Sequence, residues 1–164
     1  MIIKNNFLNL KDYQKLKEII TSDEFPWYFN TNSLPDKKTI FQFTHTFLRH
    51  GMTHSRIDIL QPLLSKLNAL TFLRIKANLN TRTSKIIETG KHSDADKRFT
   101  SAIFFLNKCN GYCKIGNKKV KSEDNKLLLF KSNEEHTGST CTDLDRRILI
   151  NIVYIEKNNK LWLT

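Results

Sequence analysis

Lys91-His92-Ser93-Asp94, answered far downstream by His136, is the stretch on which the fold of this chain turns. A His-x-Asp pair and a distant second histidine form a 2-His-1-carboxylate set. Three protein ligands on one face of an octahedral metal leave three positions open, which suits a non-haem Fe(II) that must also bind a co-substrate and dioxygen. In an extended strand, residues i and i+2 point to one side, so His92 and Asp94 can reach one ion together. The chain between Asp94 and His136 is long enough for several strands to fold back and deliver the second histidine. Taken alone, a His-x-Asp pair arises often by chance. The competing account is a satisfied core histidine at 136 and a surface pair at 92 and 94.

The flanks of the motif read as short strands. Upstream, Phe72 to Asn80 alternates, with Arg74, Lys76, Asn78 and Asn80 on one face and Ile75, Ala77 and Leu79 on the other. Ile86-Ile87 leads into a motif strand. Downstream come a buried strand from Phe99 to Asn107, a turn at Asn110-Gly111, a tight hairpin turn at Gly116-Asn117 and a Leu-rich strand from Lys126 to Phe130. The last and longest strand runs from Arg146 to Glu156. On it Arg147, Leu149, Asn151 and Val153 share a face, opposite Ile148, Ile150 and Ile152. An Fe(II) oxygenase needs a cation for the far carboxylate of a chelating keto acid, and the planar fork of an arginine pairs with a carboxylate through two hydrogen bonds. Arg147 is the candidate if its face is the interior; Arg146 then points to solvent.

The first part of the chain is helical in texture. Leu8 to Ile20 repeats apolar residues at three and four, with Lys11, Lys15 and Lys17 opposite and Asn9 or Asp12 as caps. Phe25-Pro26-Trp27-Tyr28-Phe29 reads as a hydrophobic wrap on the core. Thr31 to Lys38 reads as a loop, Thr39 to Arg49 as a strand and Gly51 to Ser55 as a turn. Ile57 to Leu70 has leucines on one helical stripe, with Pro62 in the first turn. His45 lies on the Phe-rich face of its strand and reads as a structural histidine rather than a ligand; His50 and His54 follow it.

Composition sets the bounds. The chain has 164 residues, 39% of them hydrophobic, with 11 Phe and a formal net charge of +11. That is one ordinary domain with enough apolar material for a core. No apolar run reaches the length of a membrane span, and the N-terminus lacks the apolar stretch of a signal peptide. The positive charge permits a polyanionic partner such as nucleic acid, or is simply a lysine-rich surface, since the lysines are scattered. Three cysteines, an odd number, argue against a disulfide framework and for a reducing cytosol. Cys109-x-x-x-Cys113 has no second ligand pair at spacing that would complete a zinc site. The expected class is α+β, mainly β: helices first and then many short strands, built on an antiparallel barrel or sandwich.

The order of these pieces resembles the Fe(II)/2-oxoglutarate-dependent dioxygenases, specifically the prolyl 4-hydroxylase-like branch with its small bacteriophage-type forms. The resemblance rests on Phe25-Pro26-Trp27-Tyr28, Arg74-Ile75-Lys76-Ala77-Asn78-Leu79, Lys91-His92-Ser93-Asp94, Arg98 to Asn107, Asn110-Gly111-Tyr112, Leu127 to Phe130, His136-Thr137-Gly138 and Arg147 to Asn151. It implies a double-stranded β-helix, or jelly roll, with N-terminal helices packed on it. Length, and a change of texture after Leu70 with no linker, give a single domain over 1–164, in which 1–70 is a helical support with one strand and 71–156 is the jelly-roll core. By resemblance, His92, Asp94 and His136 bind Fe(II), and Arg147 binds the C5 carboxylate of 2-oxoglutarate, which is decarboxylated to succinate with dioxygen as a C–H bond is hydroxylated. Some relatives set a tyrosine hydroxyl beside that carboxylate, from the strand that here reads Ile103-Phe104-Phe105-Leu106. This chain has no hydroxyl there, so Asn78, Asn80 and Asn151 are the candidates to replace it. Ascorbate is a possible support for the iron.

The resemblance favours a peptide or protein substrate. Nucleobase oxidation, a small-molecule substrate and a non-catalytic binding module on the same fold are the alternatives. Thr81 to Gly90 and Ala95 to Arg98 are the candidate substrate loops, with Lys85, Lys91, Lys97 and Arg98 as a basic rim. Trp27, Tyr28 and Tyr112 are aromatics that could stack on a base or pack on the core. A cytoplasmic location is expected, that of the host cell for a phage-encoded protein.

Overall fold

A computed structural model describes residues 1–31 and 40–157. Its elements, in chain order, are β1 (Ile2–Lys4), α1 (Leu10–Thr21), β2 (Tyr28–Asn30), β3 (Gln42–Arg49), β4 (Met52–Thr53), a 3-10 turn (Ile57–Leu60) that runs into α2 (Gln61–Leu64), β5 (Ala69–Thr81), β6 (Thr100–Phe105), β7 (Tyr112–Ile115), β8 (Lys118–Lys121), β9 (Lys126–Lys131), β10 (His136–Gly138) and β11 (Arg146–Glu156). The larger sheet has the order β1-β9-β6-β11-β5-β3-β2, with β4 hairpinned on β3, and the smaller sheet has the order β10-β7-β8. All pairings are antiparallel. This is the expected double-stranded β-helix, mainly β, with the N-terminal helices on its outer face.

Period-two alternation divides the larger sheet into two faces. Ile148, Ile150, Ile152 and Tyr154 of β11 join Ile75, Ala77 and Leu79 of β5 and Ala102 and Phe104 of β6 in the outer core, which α1 and the Leu60–Leu64 turn cover. Phe104 is fully buried there, with Phe7 and Tyr13 edge-on to its ring at 6.4 Å. The opposite face carries Ile103, Phe105, Leu128, Phe130 and Leu149, which pack against Cys113, Ile115 and Val120 of the smaller sheet. Toward one end this inner face turns polar, and the space between the sheets opens into a pocket. Gly116 and Asn117 close the β7–β8 hairpin, with Gly116 in the left-handed region at φ 55°.

The amphipathic N-terminal segment is a helix as expected, two residues shorter at its start. Asn9 is the cap: its side chain accepts from the Asp12 amide at 2.9 Å. The aromatic segment after it divides. Phe25 is buried and Trp27 packs against the core, whereas Tyr28 and Phe29 lie exposed on β2. The Thr31 to Lys38 loop falls, apart from Thr31, outside the described residues.

Three expectations need correction. Ile57 to Leu70 is not one helix: it is a 3-10 turn and a single α turn, and Ala69 and Leu70 already belong to β5. Leucines at helical spacing bury equally well from this compact turn, and the ladder of β5 with β11, which reaches Ala69 opposite Glu156 through two register shifts, draws the following residues into the sheet. The 1–70 segment carries four strands rather than one, because β1 finds an edge on β9 and β3 a place between β5 and β2. Residues 92–94 do not lie in a regular strand: His92 makes one isolated bridge and the chain bends at Asp94.

Candidate metal centre

The two histidines meet through the backbone. The His92 N–H donates to the His136 carbonyl at 3.0 Å, and the His136 N–H returns a bond to the His92 carbonyl at 2.9 Å. Residues so paired stand opposite each other with side chains on the same face, and the rings lie 4.3 Å apart. Asp94 is fixed beside them by its own N–H on the Ser132 carbonyl at 2.9 Å. One ligand atom each from His92, Asp94 and His136 lies within 4.8 Å of the others. The Nδ1 of His92 contacts the Gly90 carbonyl at 3.2 Å and that of His136 the Glu134 carbonyl at 3.1 Å. A carbonyl only accepts, so each ring donates from Nδ1 and leaves its Nε2 lone pair to a metal.

Asp94 is held as a carboxylate. Arg74 donates to it at 2.5 Å, Ser101 at 2.7 Å and the Asn151 amide at 3.2 Å. Burial alone pushes its carboxyl up; Arg74, His136 and the Ser101 and Asn151 hydrogen bonds outweigh it and hold the group below the usual carboxylate range. Burial, reinforced by His136, pushes the His92 imidazole down, which favours the neutral form that binds metal.

The three residues line one side of a cavity of about 720 Å³. Arg147 lines it from β11, only 2% exposed. Its Nε donates to the Ser122 hydroxyl at 2.6 Å and its Nη1 to the Ser139 carbonyl at 3.2 Å, but the buried Nη2 has no partner. No carboxylate pairs with it among the described residues. Burial of an uncompensated guanidinium disfavours its charge, and an incoming anion at Nη2 would satisfy both the lost hydrogen bond and the charge. Arg146 points the other way, exposed, with a bond to the Thr21 carbonyl at 3.1 Å.

The absent tyrosine hydroxyl has a local counterpart of another kind. Phe105 places its ring 5.6 Å from the Arg147 guanidinium carbon, so the arginine is oriented by a π face, while Phe104 is turned into the outer core. Asn78 and Asn80 line the cavity; Asn80 is the strand partner of Arg147, and the buried Oδ1 of Asn78 is unpartnered. Asn151 also lines it, with its amide engaged by Asp94 and Arg74, so it helps to hold the Asp94 carboxylate.

Arg74, Ser101, Ser122 and Ser139 were not singled out by sequence for any role. The alternation of Arg74, Lys76, Asn78 and Asn80 was visible, yet nothing local showed that this face looks inward. The lysines and arginines that line the cavity among the described residues are Arg49, Arg74, Lys76 and Arg147, with His50 beside Arg49; Arg98, expected on the rim, is in a surface pair with Asp96 at 2.6 Å. Tyr112 is buried, its hydroxyl on Glu88 at 2.7 Å. His45 is structural in its contacts: Nδ1 donates to the Pro26 carbonyl at 2.8 Å, so Nε2 accepts from the Ser55 hydroxyl at 2.7 Å, and Phe25 and Phe47 flank the ring at 4.6 Å. Cys109 gathers with Cys141 and Asp143 rather than with Cys113, which lines the cavity and whose thiol burial pushes up to about 12.

No protein-family model matches the chain, and no curated protein sequence matches it. Solved structures do. A 2OG-Fe(II) oxygenase family oxidoreductase from Burkholderia pseudomallei superposes with a TM-score of 0.69 at 11% identity, covering 96% of this chain and 85% of its own. HygX from Streptomyces hygroscopicus, solved with nickel and 2-oxoglutarate bound, gives 0.63 at 11%, covering 96% and 83%. The Trichoplax adhaerens prolyl hydroxylase, solved with a peptide fragment of the hypoxia inducible factor oxygen degradation domain, gives 0.60 at 17%, covering 99% and 86%. No helix among the described residues is long and apolar enough to cross a membrane. The chain has the double-stranded β-helix fold of the 2-oxoglutarate- and Fe(II)-dependent oxygenases, prolyl hydroxylases among them.

Proposed function

We propose that the chain is an Fe(II)- and 2-oxoglutarate-dependent dioxygenase that hydroxylates a C–H bond of a peptide or protein, with prolyl hydroxylation as the favoured reaction. The observation that carries this is the sharing of one cavity by a 2-His-1-carboxylate set with free Nε2 atoms and a buried arginine with an unpartnered Nη2. His92, Asp94 and His136 would hold the metal, and Arg147 would pair with the C5 carboxylate of 2-oxoglutarate. When bound, the metal and co-substrate supply the oxidation: dioxygen, 2-oxoglutarate and R–H become R–OH, succinate and CO2.

The protein's part is placement and protection. Carbonyls of Gly90 and Glu134 fix the histidine rings. Arg74, Ser101 and Asn151 keep Asp94 ionised and oriented. Ile103 and Leu149 give the cavity an apolar floor that limits water around the reacting groups. The peptide substrate is supported by the fold shared with a prolyl hydroxylase solved with a peptide. Buried thiols without disulfide partners fit a reducing, cytoplasmic setting.

The test is succinate formation from 2-oxoglutarate with Fe(II) and ascorbate under air, alone and with a pool of proline-containing peptides or single-stranded nucleic acid. Stimulation by the peptide pool is expected. Stimulation by nucleic acid alone would move the substrate to nucleobases. A chain that binds neither metal nor 2-oxoglutarate is not an oxygenase.

A further inference from the structure

One wall of the cavity carries more positive charge than the proposed reaction uses. With Fe(II) and 2-oxoglutarate in place, two charges on the ion and one on Arg147 balance the Asp94 carboxylate and the two carboxylates of the co-substrate. Arg49, Arg74 and Lys76 are left over, and all three line the cavity. Arg74 is directly opposite Arg49 in the β3–β5 ladder, and Lys76 is opposite Thr46 on the same face. Like charges opposite each other on neighbouring strands destabilise a sheet. Arg74 is relieved by Asp94 at 2.5 Å, but the side chains of Arg49 and Lys76 make no ion pair or hydrogen bond among the described residues. Lys76 is partly buried within the cavity, while Arg49 is exposed at its mouth.

Three cations clustered on one wall, retained against their own repulsion, form a receptor for a compact anion. We propose that Arg49 and Lys76, backed by Arg74, bind a carboxylate or phosphate monoester carried by the substrate next to the carbon that is oxidised. The proposal rests on the oxygenase reading for the identity of the neighbouring groups. The wall is compact and recessed rather than a stripe across the surface, which suits a single oxyanion better than the continuous backbone of a nucleic acid. Hydroxyls beside the cations, those of Thr44 and Thr46 of β3, can complete the hydrogen bonding of such a group; Thr44 accepts from the Asn30 amide, which leaves its own O–H to donate.

The experiment is calorimetric titration of the full chain, loaded with Zn(II) and 2-oxoglutarate, with matched probes. These are a Pro-Glu peptide and its Pro-Gln counterpart, a Pro-phosphoserine peptide and its serine counterpart, N-acetylglutamate and N-acetylglutamine, and a single-stranded oligothymidylate. At least one oxyanion probe is expected to bind about tenfold tighter than its neutral partner, the effect of one charge-assisted pair. The pair that shows it tells whether a peptide or a free acid carries the group. Lys76→Met and Arg49→Gln are expected to abolish the preference, and Lys11→Met on the exposed side of α1 to keep it. Equal binding of acid and amide forms overturns the proposal. So does a preference that survives Lys76→Met, or oligothymidylate as the sole ligand. A Lys76→Met chain that loses 2-oxoglutarate affinity by the same factor overturns it too, since the lysine would then belong to the co-substrate. If the wild-type chain takes up neither Zn(II) nor 2-oxoglutarate yet shows the acid preference in their absence, the oxygenase reading falls and the oxyanion site stands.

Discussion

His92 and His136 exchange both backbone hydrogen bonds, at 3.0 and 2.9 Å, so the two candidate metal ligands are set by a strand bridge rather than by their side chains. Their relation should therefore survive removal of a ring. His92→Ala, His136→Ala and Asp94→Ala are expected to fold and to lose stoichiometric Fe(II), measured by metal analysis after anaerobic loading. His45→Ala should do the opposite. It opens a space between Phe25 and Phe47 and strands the Pro26 carbonyl and Ser55 hydroxyl, costing about 2 to 4 kcal/mol in urea unfolding, with iron binding intact. Iron retained in the His136 variant would refute the ligand set.

Arg147 and Arg146 are neighbours on β11 with opposite surroundings, one buried against Ser122 and Phe105, the other exposed. Truncating one partner of a buried charge pair costs at least about 2 kcal/mol, or roughly thirtyfold in affinity. Arg147→Ala should weaken 2-oxoglutarate binding by at least that factor, read by titration of the metal-loaded protein. Arg146→Ala should leave it within about twofold, as expected of an exposed residue away from the cavity. Equal losses would mean that the co-substrate does not reach Arg147.

Gly111 offers a way to disturb Arg147 without touching the cavity. A Cβ at Gly111 would meet the Arg147 Cδ at 2.6 Å and the Thr140 carbonyl at 2.8 Å. The carbonyl belongs to the backbone and gives little, so the arginine stem must shift. Gly111→Ala is expected to weaken 2-oxoglutarate binding about tenfold, the loss of one hydrogen bond to a charged group, while Fe(II) binding stays. Unchanged 2-oxoglutarate affinity would show that the guanidinium can be reached from more than one stem conformation.

These residues also mark how far the sequence could be read. The gathering of His92, Asp94 and His136 was legible from residue type and spacing, although His92 and Asp94 lie in no regular strand, and only the face of Arg147 followed from strand alternation. Alternation put Arg147 on one face with Leu149, Asn151 and Val153, but both faces of the strand carry apolar residues, and the sheet packing decided that this one looks inward. Arg74 was visible as a member of an alternating face, but its bond to Asp94 joins two segments whose meeting depends on the whole sheet order. The leucines from Leu60 to Leu70 misled for a physical reason: a helical stripe and a compact turn followed by a strand bury the same residues, and pairing with β11 decided between them. In the sequence Phe105 shows only the hydroxyl it lacks, whereas its use, a ring against the guanidinium, is a tertiary contact with no local signature.

Lys76 gives a prediction that needs no co-substrate. Burial first, then Arg74 and Arg49, lower its amine from 10.5 to about 8, with Asp94 pulling the other way. The unfolded chain therefore holds a proton on this lysine that the folded chain releases between about pH 8 and 10.5. Where the unfolded state binds more protons, stability rises with pH. The difference in urea midpoint between wild type and Lys76→Met isolates this group from the other lysines and the tyrosines. The variant should be the more stable at neutral pH, because it removes a disfavoured charge. The gap should close as pH rises through that window, since the wild type gains what the variant never lacked. A gap that does not change with pH would mean that the amine keeps its ordinary affinity for protons, and that the repulsion along β3 and β5 is already relieved in the free protein.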